Sequence, residues 1–305
     1  MRIIPKIEIK NNTLVKGISF EGLRVLGSPD FFIDHYETSI AHEFFLIDVT
    51  ASLYGLPFNF SYLKKYCENI SVPITISGGL RNTKDIDDAF QSGADKIALN
   101  TYLFDDITII QKIKKIYGKQ AVTANVEVMN LDNTYSVYTE FGREKKNIKL
   151  SDWIKTLLDK GIGEIVCSSI NNDGKQLGAD YKLLEILSEV NQVPIIYSGG
   201  IKSVDEINKI KKNFNIDGLL IGSLFHYDLI SQEEKQIKNF ESKIGNIDFI
   251  KGKRIFEKIN EDTKTKLDFT KLKKNININL DKKLKFGVLN LKNGNIFSIK
   301  NLFKK

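Results

Sequence analysis

Cysteine is scarce in this 305-residue chain: Cys67 and Cys167 are the only two, and they lie far apart. Neither has the close Cys or His spacing of a metal site, so the chain reads as free of disulfides and metal, with two buried thiols in a reducing cytoplasm. No apolar run reaches the length of a membrane span, and Met1-Arg2-Ile3-Ile4-Pro5 starts directly as a strand rather than as a secretion signal. The expectation is a cytoplasmic protein that makes no use of a membrane.

An excess of positive charge is also missing from most of the chain, although the formal net charge is +7. Residues 1–230 hold 26 Lys and Arg against 29 Asp and Glu, whereas residues 231–305 hold 19 against 9. The basic character therefore belongs to the tail. Its lysines are spread among Asn and Ile without interleaved aromatics, the pattern of a solvated surface rather than of a nucleic-acid site. A scaffold or nucleic-acid-binding role would rest on that tail alone.

What is present is an α/β rhythm in a chain, 42% hydrophobic, that is long enough to bury a full core. Strand-like runs fall at Ile3–Ile9, Phe44–Val49, Ile74–Ile76, Lys96–Leu99, Ala121–Val128, Glu164–Ser168, Ile195–Tyr197 and Gly218–Ile221. Amphipathic stretches at Asp85–Gln91, Thr108–Tyr117, Ser151–Lys160, Tyr181–Val190 and Val204–Asn213 separate most of them. Eight such units predict a (β/α)8 TIM barrel over residues 1–244, with a doubly wound open sheet as the alternative. Tyr135–Thr139 reads as an extra strand after a turn at Asn130–Thr134, and Gln232–Lys243 as a closing helix. Residues 245–305 read as a Lys/Asn-rich extension with a hairpin at Phe286–Leu291 and Ile296–Ile299.

The barrel reading is favoured by an internal repeat. Ser77-Gly78-Gly79 closes one strand and Ser198-Gly199-Gly200 another, 121 residues later; Glu8 and Glu127 are 119 apart, and Asn100 and Gly222 are 122 apart. A steady offset implies two four-strand halves, neither able to close alone. Glycine turns that open helices suit phosphate, so two of them suggest a ligand with two phosphates.

Chemistry in such a barrel lies at the C-terminal ends of the strands. Glu8, Asp48, Ser77, Asn100 with Thr101, Glu127, Ser168, Ser198 and Ser223 all fall there. Glu8 and Glu127, on opposite walls of one mouth, suit general acid and base; paired with internal lysines, they would instead be barrel-filling residues. Lys16, in the loop after the first strand, reads as a phosphate clamp on a lid, and Asp173-Gly174 as a ribose contact or a turn. Arg2, Glu43, Lys96 and Glu164 mark the opposite end and could form a salt-bridge ring on the barrel floor.

Taken together, Leu14–Gly17, Phe20–Arg24, Leu46–Ser52, Gly93–Lys96 with Asn100-Thr101, Gly163–Ile165, Asp173-Gly174, Ser198–Gly200 and Ser223–His226 resemble the cyclase subunits of imidazole glycerol phosphate synthase, over residues 1–240. The resemblance implies a histidine-biosynthesis barrel without a cofactor. Ammonia from a separate glutaminase docked on the floor would enter through a gate formed by Arg2, Glu43, Lys96 and Glu164. It would attack a bis-phosphorylated formimino-carboxamide ribonucleotide, held by Lys16, Asp48, Ser77–Gly79, Asn100, Thr101, Ser168, Asp173, Gly174, Ser198–Gly200 and Ser223. The products would be imidazole glycerol phosphate and an aminoimidazole carboxamide ribonucleotide. The chain carries no Cys-His-Glu glutaminase arrangement of its own. It departs from the family in having Glu8 and Glu127 where aspartates are usual, Ser77 for glycine and Lys175 for threonine. Relatives of the family imply an alternative: a non-cyclising barrel that relays ammonia to a sugar amidotransferase making acetamidino sugars.

Overall fold

The computed structural model describes residues 1–67 and 70–233; the extension expected over 245–305, and all but the start of the helix expected at 232–243, lie outside them. The strands are β1 (Arg2–Lys10), β2 (Thr13–Ile18), β3 (Glu21–Gly27), β4 (Phe44–Asp48), β5 (Ile74–Ser77), β6 (Lys96–Leu99), β7 (Val122–Leu131), β8 (Thr134–Thr139), β9 (Glu144–Lys149), β10 (Glu164–Ser169), β11 (Ile195–Ser198) and β12 (Gly218–Ile221). Eight of these, β1, β4, β5, β6, β7, β10, β11 and β12, pair in parallel in that order, and β12 returns to β1. The pairing of β7 with β10 completes the circle, so the sheet is a closed (β/α)8 barrel and not an open one.

The period of two in each strand sorts side chains between two cores. Along β1, Ile3, Ile7 and Ile9 pack outward into the large apolar layer beneath the helices, while Ile4 joins the lumen cluster with Phe45, Ala98, Val166, Ile196 and Leu220. The same alternation puts Arg2, Lys6 and Glu8 on the Ile4 face, toward the lumen. Helices cover the outside with one apolar face each; Val204–Asn213, for example, buries Ile207 and Ile210.

The two halves repeat in atomic detail. Asn82 caps the helix Thr83–Gln91 by accepting from the Asp85 amide, and Ser203 caps Val204–Asn213 by accepting from the Glu206 amide. Asp95 accepts from the Ile74 amide and Asp217 from the Ile195 amide, each at 2.8 Å. In both halves the helix starts four residues after the second glycine and carries its own side-chain cap. The Ser-Gly-Gly turns therefore do not open their helices directly, as the sequence reading has it.

Three elements differ from the sequence reading. The loop after the first strand is a hairpin, β2–β3, whose turn at Ser19-Phe20 has φ of 50° and 65° with neither Gly nor Asn to announce it. Strand β7 runs on through Leu131, so the turn expected over Asn130–Thr134 shrinks to Asp132-Asn133, and β8 gains a further partner in β9. The closing helix starts at Ser223, directly after β12, rather than at Gln232.

Glycine is demanded where the halves turn back on themselves. Gly78 has φ +91°, and a Cβ there would overlap the Asp48 carbonyl oxygen, whereas Gly22 at φ +60° faces open space. Gly78→Ala is expected to lower the urea midpoint by the equivalent of about 2–4 kcal/mol. Gly22→Ala should lose only the backbone term of about 1–2 kcal/mol, so equal losses at the two sites would contradict the steric account.

Candidate functional site

The lumen is closed at each end by a ring of four charges. At the floor, Arg2 Nη1 meets Glu43 Oε2 at 2.7 Å and Arg2 Nη2 meets Glu164 Oε2, while Lys96 Nζ lies 2.6 Å from Glu43 Oε1 and 2.9 Å from Glu164 Oε1. The hydroxyls of Thr75 and Thr123 donate to Glu43 and Glu164 at 2.7 and 3.2 Å. Burial pushes the Glu164 carboxyl up, but Lys96 and Arg2 outweigh it and hold it below the usual range. All four residues expected at the floor are thus brought together.

At the other end, Glu8, Lys6, Lys16 and Asp173 form a second ring. Glu8 Oε1 lies 2.9 Å from Lys6 Nζ and Glu8 Oε2 2.6 Å from Lys16 Nζ; Asp173 answers with Oδ1 at 2.6 Å from Lys16 and Oδ2 at 3.6 Å from Lys6. All four are buried, Glu8 fully. Burial raises the Glu8 carboxyl, yet the two lysines outweigh it and hold it ionised. Lys16 is not the mobile lysine of a flexible lid: it is a strand residue of β2, 2% exposed, with its ammonium committed to two carboxylates.

Glu127, facing Glu8 from β7, has the opposite environment. It is buried without an ion pair among the described residues, and its Oε2 accepts from the Gly142 amide at 2.9 Å. Burial lifts its carboxyl to about 7, beyond what Lys6, the Gly142 amide and Asn100 recover. Two carboxylates pushed apart in this way are suited to different protonation roles at neutral pH.

The remaining expected residues divide between two cavities. The larger, about 200 Å³, is lined by Asp48, Ser77, Gly78, Gly79, Asn100, Thr101 and Glu127. Asp48 lines the cavity while its Oδ1 accepts from the Thr50 and Ala51 amides at 2.9 Å each. The Ser77 hydroxyl donates to the Ala98 carbonyl at 3.0 Å. The smaller cavity is lined by Asp173, Gly174, Ser198, Gly199, Gly200 and Ser223, where the helix Ser223–Glu233 starts after the eighth barrel strand. That position is a frequent phosphate site in this architecture. Ser168 is buried on β10, in register with Glu127 on one side and Ser198 on the other.

Residues not singled out from sequence complete the mouth. Arg81 and Glu140 line the larger cavity with Phe141. Phe20 and Phe141 stack at 4.4 Å between centroids, joining the β2–β3 turn to the β8–β9 connection over the mouth. Glu140 and Phe141 sit at φ 53° and 54°, so both tips carry non-glycine residues in the left-handed region. The Ser19 amide adds a bond to the Asp173 carbonyl at 2.9 Å. Lys6 had a signal, since it lies two residues before Glu8 on the same strand face; the aromatic stack had none.

A family model described as "Histidine biosynthesis protein" matches residues 2–231. The chain is 33% identical over 233 residues to the imidazole glycerol phosphate synthase subunit HisF of an Exiguobacterium species, covering 76% of this chain and 91% of that one. It is 35% identical over 209 residues to the protein of the same name from Legionella pneumophila, covering 68% and 99%. With the HisF subunit of Chlorobaculum tepidum the identity is 31% over 226 residues, covering 74% and 90%.

Glu127 makes stability depend on pH. Its folded carboxyl holds a proton up to about 7 against an ordinary 4.5, so the stabilisation is fully present below 4.5 and is lost as pH rises through 7. That loss is expected to be on the order of 3 kcal/mol. Urea unfolding of wild type and Glu127→Gln at pH 5 and 8 measures it: the wild type should lose stability relative to the variant at the higher pH. Parallel pH profiles would contradict the assignment.

Proposed function

The chain belongs to the histidine biosynthesis protein family, and from that membership we propose that it is the cyclase-type synthase subunit of a glutamine amidotransferase complex. Its reaction would take ammonia and a bis-phosphorylated formimino-carboxamide ribonucleotide to imidazole glycerol phosphate and an aminoimidazole carboxamide ribonucleotide. The observation that carries this reading is the pair of glutamates at one mouth, one held ionised and the other with a carboxyl near 7, flanked by a glycine-lined cavity from each half of the barrel.

Each half would hold one phosphate: one on the turn Ser77-Gly78-Gly79 with Asn100 and Thr101, the other on Gly174, Ser198-Gly199-Gly200 and Ser223. Backbone amides of glycine turns and the start of the last helix supply donors there. Glu8 and Glu127 would act on the part of the substrate between the phosphates, Glu127 exchanging protons near neutral pH and Glu8 presenting fixed negative charge. Ammonia would come from a glutaminase docked on the floor and pass the ring of Arg2, Glu43, Lys96 and Glu164.

Turnover of the ribonucleotide with ammonium salt tests the reading. Glu127→Gln is expected to reduce kcat by about 10²–10⁴-fold, and absence of any turnover by the wild type at saturating ammonium would overturn it. Floor variants such as Lys96→Ala should leave ammonium-dependent turnover near the wild-type rate while lowering the glutamine-dependent rate with a glutaminase present. Equal loss of both rates would remove the floor from the ammonia route.

One observation favours a second reading. Glu8 is ion-paired with both Lys6 and Lys16 while the floor ring is intact, as suits a barrel that relays ammonia to a separate sugar amidotransferase without cyclising anything itself. A glutaminase complex that releases ammonia through the barrel but gives no ribonucleotide turnover would support it.

A further inference from the structure

We propose that Lys6 is the positioning residue of the mouth, a fixed cation inside the barrel that keeps Glu8 a permanent carboxylate and leaves Glu127 as the one group there that exchanges a proton. The use to which that proton is put rests on the cyclase reading above; the division of roles does not.

Lys6 lies one step below Glu8 on the lumen face of β1 and is 3% exposed. Its ammonium is held at 2.9 Å from Glu8 and 3.6 Å from Asp173, beneath the Phe20 ring at 4.8 Å from its centroid. Its backbone is fixed as well. The Lys6 carbonyl accepts from His226 Nε2 at 2.9 Å, which leaves His226 Nδ1 to accept from the Tyr36 hydroxyl at 2.9 Å. His226 stays neutral, its pKa pushed down to about 3 by burial and by Lys16 and Lys6. The backbone is thus anchored on one side and the ammonium lies between two carboxylates on the other.

Charge balance gives the arrangement its consequence. The ring holds two cations and two carboxylates, so it is neutral as built. Glu127 looks onto this ring from β7. The groups acting on it are Lys6 on β1, Asp173 after β10, Asn100 after β6 and the Gly142 amide, with Glu8 and Lys16 completing the ring behind Lys6 and Asp173; Asp48, Arg81, Asp105 and Glu140 share its cavity. The attraction of Lys6 is the largest of the influences that oppose the effect of burial on Glu127. Without Lys6 the ring would carry one negative charge in excess, facing a carboxyl that already resists ionisation.

The test is a titration of the full chain with ¹³C-carboxyl-labelled glutamate, followed by NMR from roughly pH 5 to 9 without substrate. In the wild type one buried glutamate, assigned by its disappearance in Glu127→Gln, should titrate near 7, and Glu8 should not titrate at all. Lys6→Met should move the Glu127 midpoint up by about one unit or more, and Lys6→Arg should restore it. Glu8→Gln leaves the ring one positive charge in excess and should move the midpoint down; this variant carries the test should Lys6→Met not fold. A Glu127 midpoint that stays put in the variants, or a Glu8 that titrates within this range in the wild type, would overturn the proposal. Because no substrate is used, missing cyclase turnover would remove the function proposed above without touching this result, and unmoved midpoints would do the reverse.

Discussion

A closed barrel gives a charge in its lumen no water to turn to, so every ion sealed inside must find its partner there. Six of the eight ring charges are buried, and Arg2 and Lys96 at the floor keep part of their side chains exposed. Between the floor ring and the mouth ring lies a mainly apolar stretch of Ile4, Phe45, Ala98, Val166, Ile196 and Leu220. The rest of the site follows from how the two rings are satisfied. The floor ring is joined by the hydroxyls of Thr75 and Thr123, whereas the mouth ring closes only because the β2–β3 hairpin folds inward and delivers Lys16. Removing one member of the buried mouth ring would leave an excess charge in low dielectric, a larger cost than the loss of an exposed ion pair.

The same constraint separates the two glutamates. A carboxylate with one more methylene than an aspartate reaches further, and in Glu8 that reach is spent on bridging two lysines. Glu127 has no such partner and meets the open cavity instead. Similar residues at matching positions of a duplicated barrel thus acquire different proton affinities, set by which neighbours their half supplies. The Phe20–Phe141 stack adds an apolar cover, and the four left-handed residues at the two tips are held in place by the contact between them.

Much of the scaffold was legible in the residues. Parallel strands buried on both faces leave short apolar runs, and turns such as Ser-Gly-Gly punctuate them, so all eight barrel strands could be found within a residue or a few. The floor residues were legible as charges at strand starts. The mouth was less so. Val15-Lys16-Gly17 looks like a loop because its pairing partner, Glu21–Gly27, carries no β signal and the connecting turn lacks glycine. Burial of a lysine is decided by what faces it across the barrel, and Asp173 is 157 residues away. Lys6 could have been found from its strand parity with Glu8, but parity alone does not say whether a lysine is paired.

The two rings share a composition that bears on the duplicated architecture. In each, three members come from the N-terminal half, two bases and one acid: Arg2, Glu43 and Lys96 at the floor, Lys6, Glu8 and Lys16 at the mouth. The C-terminal half supplies one acid to each, Glu164 and Asp173. Internally the first half is therefore positive at both ends and the second negative. Two copies of either half brought together would double an unbalanced charge inside a sealed lumen, whereas one of each cancels it twice over. The symmetry of the backbone is thus not a symmetry of charge: in each ring the acid from the second half balances the excess base of the first.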